Sequence, residues 1–319
     1  MPTTNLKQLS DMPDLLSGGH AACPGCAGPV IIRQALLAAQ QDDVYAVCSI
    51  ATGCMEVSTT IYPNSAWRVP LVHSAFENAA ATISGVEAAY RSLKRQGKLD
   101  RKIAFIAFGG DGGTYDIGLQ SLSGALERGH HFTYICYDNE AYMNTGIQRS
   151  SATPKGAFTT TAPAGSVSPG KTQPKKDLTA IVAAHGVPYV AQASPHRPRD
   201  LMKKVQTAVA TEGPSFLNII SPCPRGWRYA PDQTMAMAAL AADTCVWPIY
   251  EIVNGALSVS YKPKEKKPVR EWLKSQGRFR HLFSPKNEYL IEEIQQDVDR
   301  KWERLLSLDA LNKGEREQS

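Results

Sequence analysis

Apolar and polar positions along the chain follow two rhythms. Residues 29–40 carry Val30, Ile31, Ala35, Leu36 and Leu37 at helical spacing and predict an amphipathic helix. A β-branched run over 43–50 predicts a buried strand that ends in the small-residue turn Ala51-Thr52-Gly53. Residues 69–73 predict another strand and 77–95 another helix, with Arg91, Lys94 and Arg95 near its C-terminus, where the helix dipole favours cations. Residues 103–108 are wholly apolar and lead into Gly109-Gly110-Asp111-Gly112-Gly113. A helical segment follows over about 115–128, then a second apolar run over 132–137 that ends at Asp138-Asn139. Strand, glycine turn, helix, strand is a βαβ unit, and continuous apolar runs mark strands buried on both faces. The alternation repeats from Leu178 through a strand over 187–191, a helix over 201–211 and a strand over 215–220. The expected fold is α/β, a doubly wound and mostly parallel sheet.

Two stretches break this rhythm. Residues 145–176 are rich in Ser, Thr, Gly, Pro and Lys without periodic apolar positions, which reads as a lid or binding loop, or as a surface insertion. Residues 262–268, Lys-Pro-Lys-Glu-Lys-Lys-Pro, read as a charged linker. Beyond it Leu290, Ile291, Ile294, Val298, Trp302, Leu305 and Leu306 recur at helical spacing and predict a helix packed on the body or on a partner subunit. The expected organisation is a domain over 1–260 and a C-terminal extension, linker plus helix, over 261–319.

Composition narrows the classes. With 319 residues, 43% hydrophobic and 20% charged, the chain can bury a large core. A net charge of +5 admits docking to an acidic protein, and no basic, aromatic-laced stretch argues for nucleic acid. No stretch is long and uncharged enough to span a bilayer, and the start lacks the apolar core of a signal peptide, so the chain reads as cytoplasmic. In that compartment its 7 cysteines read as ligands and buried thiols rather than as a disulfide framework.

The glycine turn carries candidate chemistry. Its glycines let a diphosphate approach the backbone, and the following helix N-terminus favours the negative charge. By itself Gly110-Asp111-Gly112 is a common turn. Neighbouring parallel strands, however, deliver their C-terminal ends to one edge, so Asp111 and Asn139 can reach one cation. Mg²⁺ takes oxygen ligands and shares them with phosphates, which suits this pair.

The cysteines divide into two groups. Cys48 and Cys136 fall inside apolar strands and read as packing, as does Cys245. Cys23-Pro24-Gly25-Cys26 can be a redox dithiol, half a zinc site or half an iron–sulfur site, and a thioredoxin-like context is missing. Cys54 and Cys223 each follow a predicted strand and can project from the edge that holds Asp111. Prolines on both sides of Cys223 fix its loop.

The sequence resembles the thiamine-diphosphate enzymes, whose metal motif is Gly-Asp-Gly followed about one βαβ unit later by Asn. That resemblance implies that the Ala141 carbonyl is a further Mg²⁺ ligand and that Asn144 contacts the diphosphate or the reacting centre, as a catalytic residue. More specifically, the chain resembles the thiamine-binding (β) subunit of 2-oxoacid:ferredoxin oxidoreductases of the pyruvate type. The matching stretches include Gly19-His20, Cys23-Pro24-Gly25-Cys26, Ala51-Thr52-Gly53-Cys54, Trp67-Arg68-Val69-Pro70 and Phe76-Glu77-Asn78-Ala79-Ala80, then 109–116, 137–146 and Pro222-Cys223-Pro224. They run from about His20 to Gly255; Ala27-Gly28-Pro29 departs from the expected Gly-x-x, and the region after Lys262 matches only loosely.

The resemblance implies that Cys23, Cys26, Cys54 and Cys223 hold a [4Fe–4S] cluster, and that Thr52, Gly53, Gly110, Gly112 and Gly113 line thiamine diphosphate beside it. It implies oxidative decarboxylation of pyruvate to acetyl-CoA and CO₂, with coenzyme A as acceptor and electrons passed to ferredoxin. The glutamate that activates thiamine has no evident candidate: Glu77 reads as a local or interface residue and Glu56 has no assigned role. In this family that glutamate comes from a partner subunit, with further iron–sulfur clusters on other chains, so the isolated chain is expected to be inactive. Oxalate and 2-oxobutyrate are alternative substrates. A non-redox thiamine decarboxylase, or a structural zinc site on the four cysteines, is the reading from another class.

Overall fold

The structure, a computed structural model, describes residues 6–40 and 44–318; Asp43, expected to open the first strand, lies outside them. Among the described residues, eight strands form one sheet: β1 (Tyr45–Ala51), β2 (Leu71–Ser74), β3 (Ile103–Gly110), β4 (Thr133–Asp138), β5 (Tyr189–Ala193), β6 (Ser215–Ile220), β7 (Ile249–Val253) and β8 (Ala256–Tyr261). The spatial order is β2-β1-β3-β4-β6-β5-β7-β8. The first six strands run parallel, and β7 and β8 add to β5 as an antiparallel hairpin. The α-helices of the same residues are α1 (Leu6–Ser10), α2 (Ala27–Ala39), α3 (Cys54–Thr59), α4 (Ala79–Arg95), α5 (Leu119–Glu127), α6 (Leu178–Ala183), α7 (Pro198–Ala210), α8 (Pro224–Trp227), α9 (Thr234–Asp243), α10 (Val269–Lys274) and α11 (Tyr289–Gln318). The doubly wound α/β architecture expected from the apolar runs is the observed one. No helix among the described residues is long and apolar enough to cross a membrane.

Burial explains the sequence rhythm. Every residue of β4, β5 and β6 is buried, so no polar alternation is needed. One face is covered by α2 and α7, whose Ile31, Ile32, Leu36, Leu201 and Val205 join Ile50, Ile106, Ile135 and Leu217 in one core. The other face is covered by α4, α5 and α6, with Ile83, Leu122 and Val182 against Phe105, Tyr134 and Phe216. The segment after the glycine turn opens with a π-helical turn over Gly112–Ile117, where the Gly118 N–H reaches back to the Gly113 carbonyl at 2.6 Å, before α5 begins. Such turns are rare and concentrate at functional sites.

A third core joins residues on both sides of position 260. Trp227 and Trp247 pack with Trp272, Phe279, Leu290 and Trp302, and the Trp227 and Trp272 rings meet edge-on at 5.9 Å. The hairpin that begins this region turns at Asn254-Gly255, both at positive φ. That dipeptide suits a two-residue hairpin turn, whose central residues need this backbone conformation.

Asp309 of α11 ties the last helix to the sheet. It is 1% exposed, accepts the Val259 N–H at 3.2 Å, and pairs with Lys262 at 2.7 Å and Lys313 at 3.0 Å. Burial opposes its charge, but these partners hold the carboxyl down at about 2. The folded value lies below the unfolded one, near 3.9. Its stabilisation is therefore complete above about pH 4 and is lost as pH falls towards 2. Both lysines are half-exposed and screened, so Asp309→Asn should cost only about 1–2 kcal/mol at pH 7. Urea midpoints of mutant and wild type should converge as pH approaches 2.

Candidate functional site

The C-terminal ends of β1, β3, β4 and β6 arrive at one edge of the sheet, and the candidate cofactor residues hang from it. Asp111 follows β3 and is 1% exposed. Its Oδ2 accepts the Ser150 hydroxyl at 2.6 Å and its Oδ1 accepts the Asn139 N–H at 3.2 Å. Burial pushes its carboxyl well up, and the neighbouring Asp138 charge adds to this. The Asn139 side-chain amide faces both Asp111 Oδ1 and the Ala141 carbonyl oxygen at 2.8 Å. With its nitrogen turned to them it donates two hydrogen bonds. With its oxygen turned to them, three oxygens converge with no proton between. Mg²⁺ binds oxygens at about 2.0–2.1 Å in an octahedron, whose adjacent ligands lie about 2.9 Å apart, so this trio fits adjacent corners of such a site.

Beside the trio is a cavity of about 150 Å³. Thr52, Gly53 and Cys54 line one side, and Gly110, Asp111, Gly112 and Gly113 line the floor. Asn139, Ala141, Asn144 and Thr145 line the loop after β4. The glycines answer first to the protein's own packing. A Cβ on Gly112 would lie 2.5 Å from the Tyr142 ring, and one on Gly113 would lie 2.8 Å from the Phe76 carbonyl oxygen. A larger groove of about 420 Å³ lies at the opposite sheet edge beside Ile103, the first residue of β3. Ligands of open α/β sheets bind at the other edge, where the strands end.

The four candidate cysteines come from distant parts of the chain to the same side. Cys26 precedes α2, Cys54 opens α3 and Cys223 precedes α8. The Cys23–Cys26 turn closes with the Cys26 N–H on the Cys23 carbonyl at 3.0 Å. It is pinned from outside by the Thr234 hydroxyl on the Gly25 carbonyl at 2.5 Å. Gly25 has φ +73, and a Cβ there would meet the Pro231 carbonyl oxygen at 2.2 Å, so no other residue fits this turn. Each of the four thiols lies within electrostatic reach of the other three. Burial, with a smaller contribution from that mutual repulsion, pushes Cys26 and Cys54 up to about 12 and raises Cys223. Backbone N–H groups already point at two of the sulfurs: Gly28 at Cys26, and Gly226 and Arg225 at Cys223. Among the described residues, no three His, Cys, Asp or Glu side chains lie close enough to hold a single metal ion. A zinc ion with bonds of about 2.3 Å draws its four sulfurs to about 3.8 Å from one another. Cys48 and Cys136 are fully buried and Cys245 is nearly so.

Several supporting residues were not legible in the sequence. The Trp227 indole N–H donates to the Asn139 carbonyl at 2.8 Å, so the helix that starts at Cys223 is fastened to the loop that carries the oxygen trio. Between Asn139 and Ala141, Glu140 adopts φ +70, an uncommon conformation for a residue other than glycine. Arg278 holds it there with an ion pair of 2.5 Å, and Lys175 with one of 3.0 Å. Burial opposes the Glu140 charge, yet these two cations outweigh it and keep the carboxyl below its usual range. Arg278 also stacks over Trp227 at 4.1 Å. The segment 145–176 is tied down over the site rather than hanging free. Ser150 bonds Asp111, the Ser151 N–H bonds Asp116 at 3.0 Å, and Lys175 pairs with Asp138 at 2.7 Å.

Neither glutamate considered from the sequence lines the cavity. Glu56 faces His73 Nδ1 at 3.6 Å and accepts the Thr60 hydroxyl at 3.2 Å. His73 Nε2 in turn lies 2.9 Å from the Thr52 hydroxyl at the cavity wall.

Residues 51–219 match the family described as thiamine pyrophosphate enzyme, C-terminal TPP binding domain. The chain is similar to pyruvate synthase subunit PorB of Thermotoga maritima, with 53% identity over 316 residues, 97% of this chain and 98% of the relative. It is also similar to ketoisovalerate oxidoreductase subunit VorB of Pyrococcus abyssi, with 43% identity covering 91% of this chain and 92% of the relative. A solved 2-oxoglutarate:ferredoxin oxidoreductase from Magnetococcus marinus shares the fold, with a TM-score of 0.54 at 21% identity, over 75% of this chain and 81% of that chain.

The buried charges at the site generate a stability prediction. Arg278→Met leaves Glu140 with one cation instead of two and should destabilise the chain by roughly 3 kcal/mol. Adding Glu140→Gln should recover part of this loss in urea unfolding, because the buried negative charge is then gone.

Proposed function

Because the chain belongs to the family of pyruvate synthase subunit PorB and related thiamine-dependent 2-oxoacid oxidoreductases, we propose that it carries the Mg²⁺–thiamine diphosphate and [4Fe–4S] centres of a pyruvate:ferredoxin oxidoreductase. When bound, thiamine diphosphate supplies the nucleophilic carbon for decarboxylating a 2-oxoacid, and the cluster takes up the electrons one at a time. The observation that carries this reading is that Cys54 lines the same cavity as Asp111, Asn139 and Ala141. The thiol quartet and the oxygen trio are thereby neighbours across the Thr52-Gly53-Cys54 wall.

In this reading Asp111 Oδ1, the Asn139 amide oxygen and the Ala141 carbonyl hold Mg²⁺, and the 110–113 backbone flanks the diphosphate. Asn144, exposed at the cavity rim, reaches the reacting centre. Cys23, Cys26, Cys54 and Cys223 hold the cluster, and thiols must lose their protons as it assembles. The cavity is about half the volume of the smallest usual ligand pockets, roughly 300 Å³. It accommodates one end of the cofactor, so a partner subunit covers the rest and brings the activating glutamate. Pyruvate as substrate follows from likeness to the PorB relative, whose identity exceeds that of the ketoisovalerate enzyme subunit; coenzyme A as acyl acceptor and ferredoxin as electron acceptor are what the sequence resemblance implies. A non-redox thiamine decarboxylase would use the oxygen trio and leave the thiol quartet without a role.

The chain purified without oxygen should be brown and contain about four irons and four acid-labile sulfides. Cys223→Ser should lose most of this iron, while Asp111→Ala should keep it and lose Mg²⁺-dependent thiamine diphosphate binding, read by calorimetry. A colourless chain, or zinc in place of iron, contradicts the cluster assignment. Viologen reduction by the complete complex should be fastest with pyruvate among pyruvate, oxalate, 2-oxobutyrate and 2-oxoisovalerate, and absent with this chain alone.

A further inference from the structure

Tyr137 carries a buried hydroxyl for which the fold itself provides no use. It is the residue before the last of β4, and strand parity turns it to the face covered by α2, with Cys26 and Cys54, whereas Tyr134 and Cys136 turn to the other face. The residue is 2% exposed. Among the described residues its hydroxyl has no hydrogen-bond partner. The Met55 N–H approaches the oxygen without closing a bond, and nothing accepts the hydroxyl proton. A buried hydroxyl left in this state costs about 1–3 kcal/mol, and an apolar ring of the same shape would avoid that cost.

The hydroxyl lies directly against the backbone that leads into Cys54. A Cβ on Gly53 would stand 3.0 Å from its oxygen, and one on Gly110 would stand 3.2 Å from its ring, so the two glycines define the slot that holds the ring. Among the charged states of its neighbours, that of Cys54 weighs most on Tyr137. As a thiol, Cys54 is a weak acceptor; as a metal-bound thiolate it is a charged one, and hydrogen bonds to charged groups are roughly twice as strong.

We propose that Tyr137 donates its hydroxyl proton in a hydrogen bond to the Cys54 sulfur and so sets the reduction potential of the cluster, an inference that rests on the cluster reading above. It is a positioning residue, since it acts on the cluster through a ligand. A donor aimed at a ligand sulfur stabilises the more negative, reduced cluster and raises the potential.

The test is Tyr137→Phe in the full chain, purified anaerobically, with reduction followed by electron paramagnetic resonance at controlled potentials. The variant should keep wild-type iron and sulfide. At the wild-type midpoint its ratio of reduced to oxidised cluster should fall about tenfold, a shift of about 59 mV for one electron. Its affinity for Mg²⁺–thiamine diphosphate should not change. Gly53→Ala, whose methyl crowds the hydroxyl, should move the potential in the same direction and serves if the phenylalanine chain does not fold. An unchanged potential in a variant with a full cluster overturns the proposal. So does an unchanged potential accompanied by weaker thiamine diphosphate binding, which would assign the hydroxyl to that cofactor, since Tyr137 also lines the cavity. A wild-type chain without iron and sulfide is a different failure, that of the cluster reading itself, and is seen before any variant is made.

Discussion

Parallel strands must end at the same edge of their sheet, and the architecture of this chain follows from that constraint. Because β1, β3, β4 and β6 are parallel neighbours, the loops after them are forced together even though they are far apart in sequence. Those loops begin at Thr52, Asp111, Asn139 and Ser221. They carry one cysteine after β1, one after β6 and the oxygen trio between. Only the Cys23–Cys26 turn arrives otherwise, by way of the N-terminus of α2, and it is fixed by contacts with Pro231 and Thr234. The hairpin and C-terminal helices then close the side of the sheet that β5 would leave open.

Holding acidic groups so close together inside the protein is costly, and the surroundings show how that cost is met. Asp111 and Asp138 are buried with raised carboxyls, chiefly because burial disfavours their charge, and neighbouring carboxylates add to this. Glu140, between two groups of the oxygen trio, keeps its charge because Arg278 and Lys175 reach it from the C-terminal region and from the 145–176 segment. A backbone conformation as unusual as that of Glu140 persists where the surroundings over-determine it. The Trp227 bond to Asn139 links the segment that starts at Cys223 to the loop that carries the oxygen trio.

The legible parts of the sequence were those whose signals are local. Residues 103–108 and 132–137 read as buried strands because an apolar run without alternation is what a strand covered on both faces requires, and the turn with Asp111 followed directly. The hairpin was missed although Asn254-Gly255 between two apolar stretches announces it; the preceding Pro248 and the short strands obscured the pattern. Ser150 and Arg278 could not be read at all. Their partners are 39 and 138 residues away, and neither residue stands in a pattern that calls for a partner. The convergence of Cys54 and Cys223 with the C-x-x-C pair came from family resemblance; spacing alone left zinc and redox dithiol open. Tyr137 was hidden for another reason: in sequence it is one more aromatic in an apolar strand, and only the packing of Gly53 and Gly110 around it shows where its hydroxyl points.

X-ray data collected at the iron absorption edge, on crystals of anaerobically prepared protein soaked with Mg²⁺ and thiamine diphosphate, address the central assignment most directly. The account predicts one compact iron cluster bonded to all four of Cys23, Cys26, Cys54 and Cys223, with the magnesium among Asp111, Asn139 and Ala141 on the other side of Thr52-Gly53. Iron density remote from any of these sulfurs, a single metal ion in place of the cluster, or a diphosphate bound away from Asp111 would contradict it.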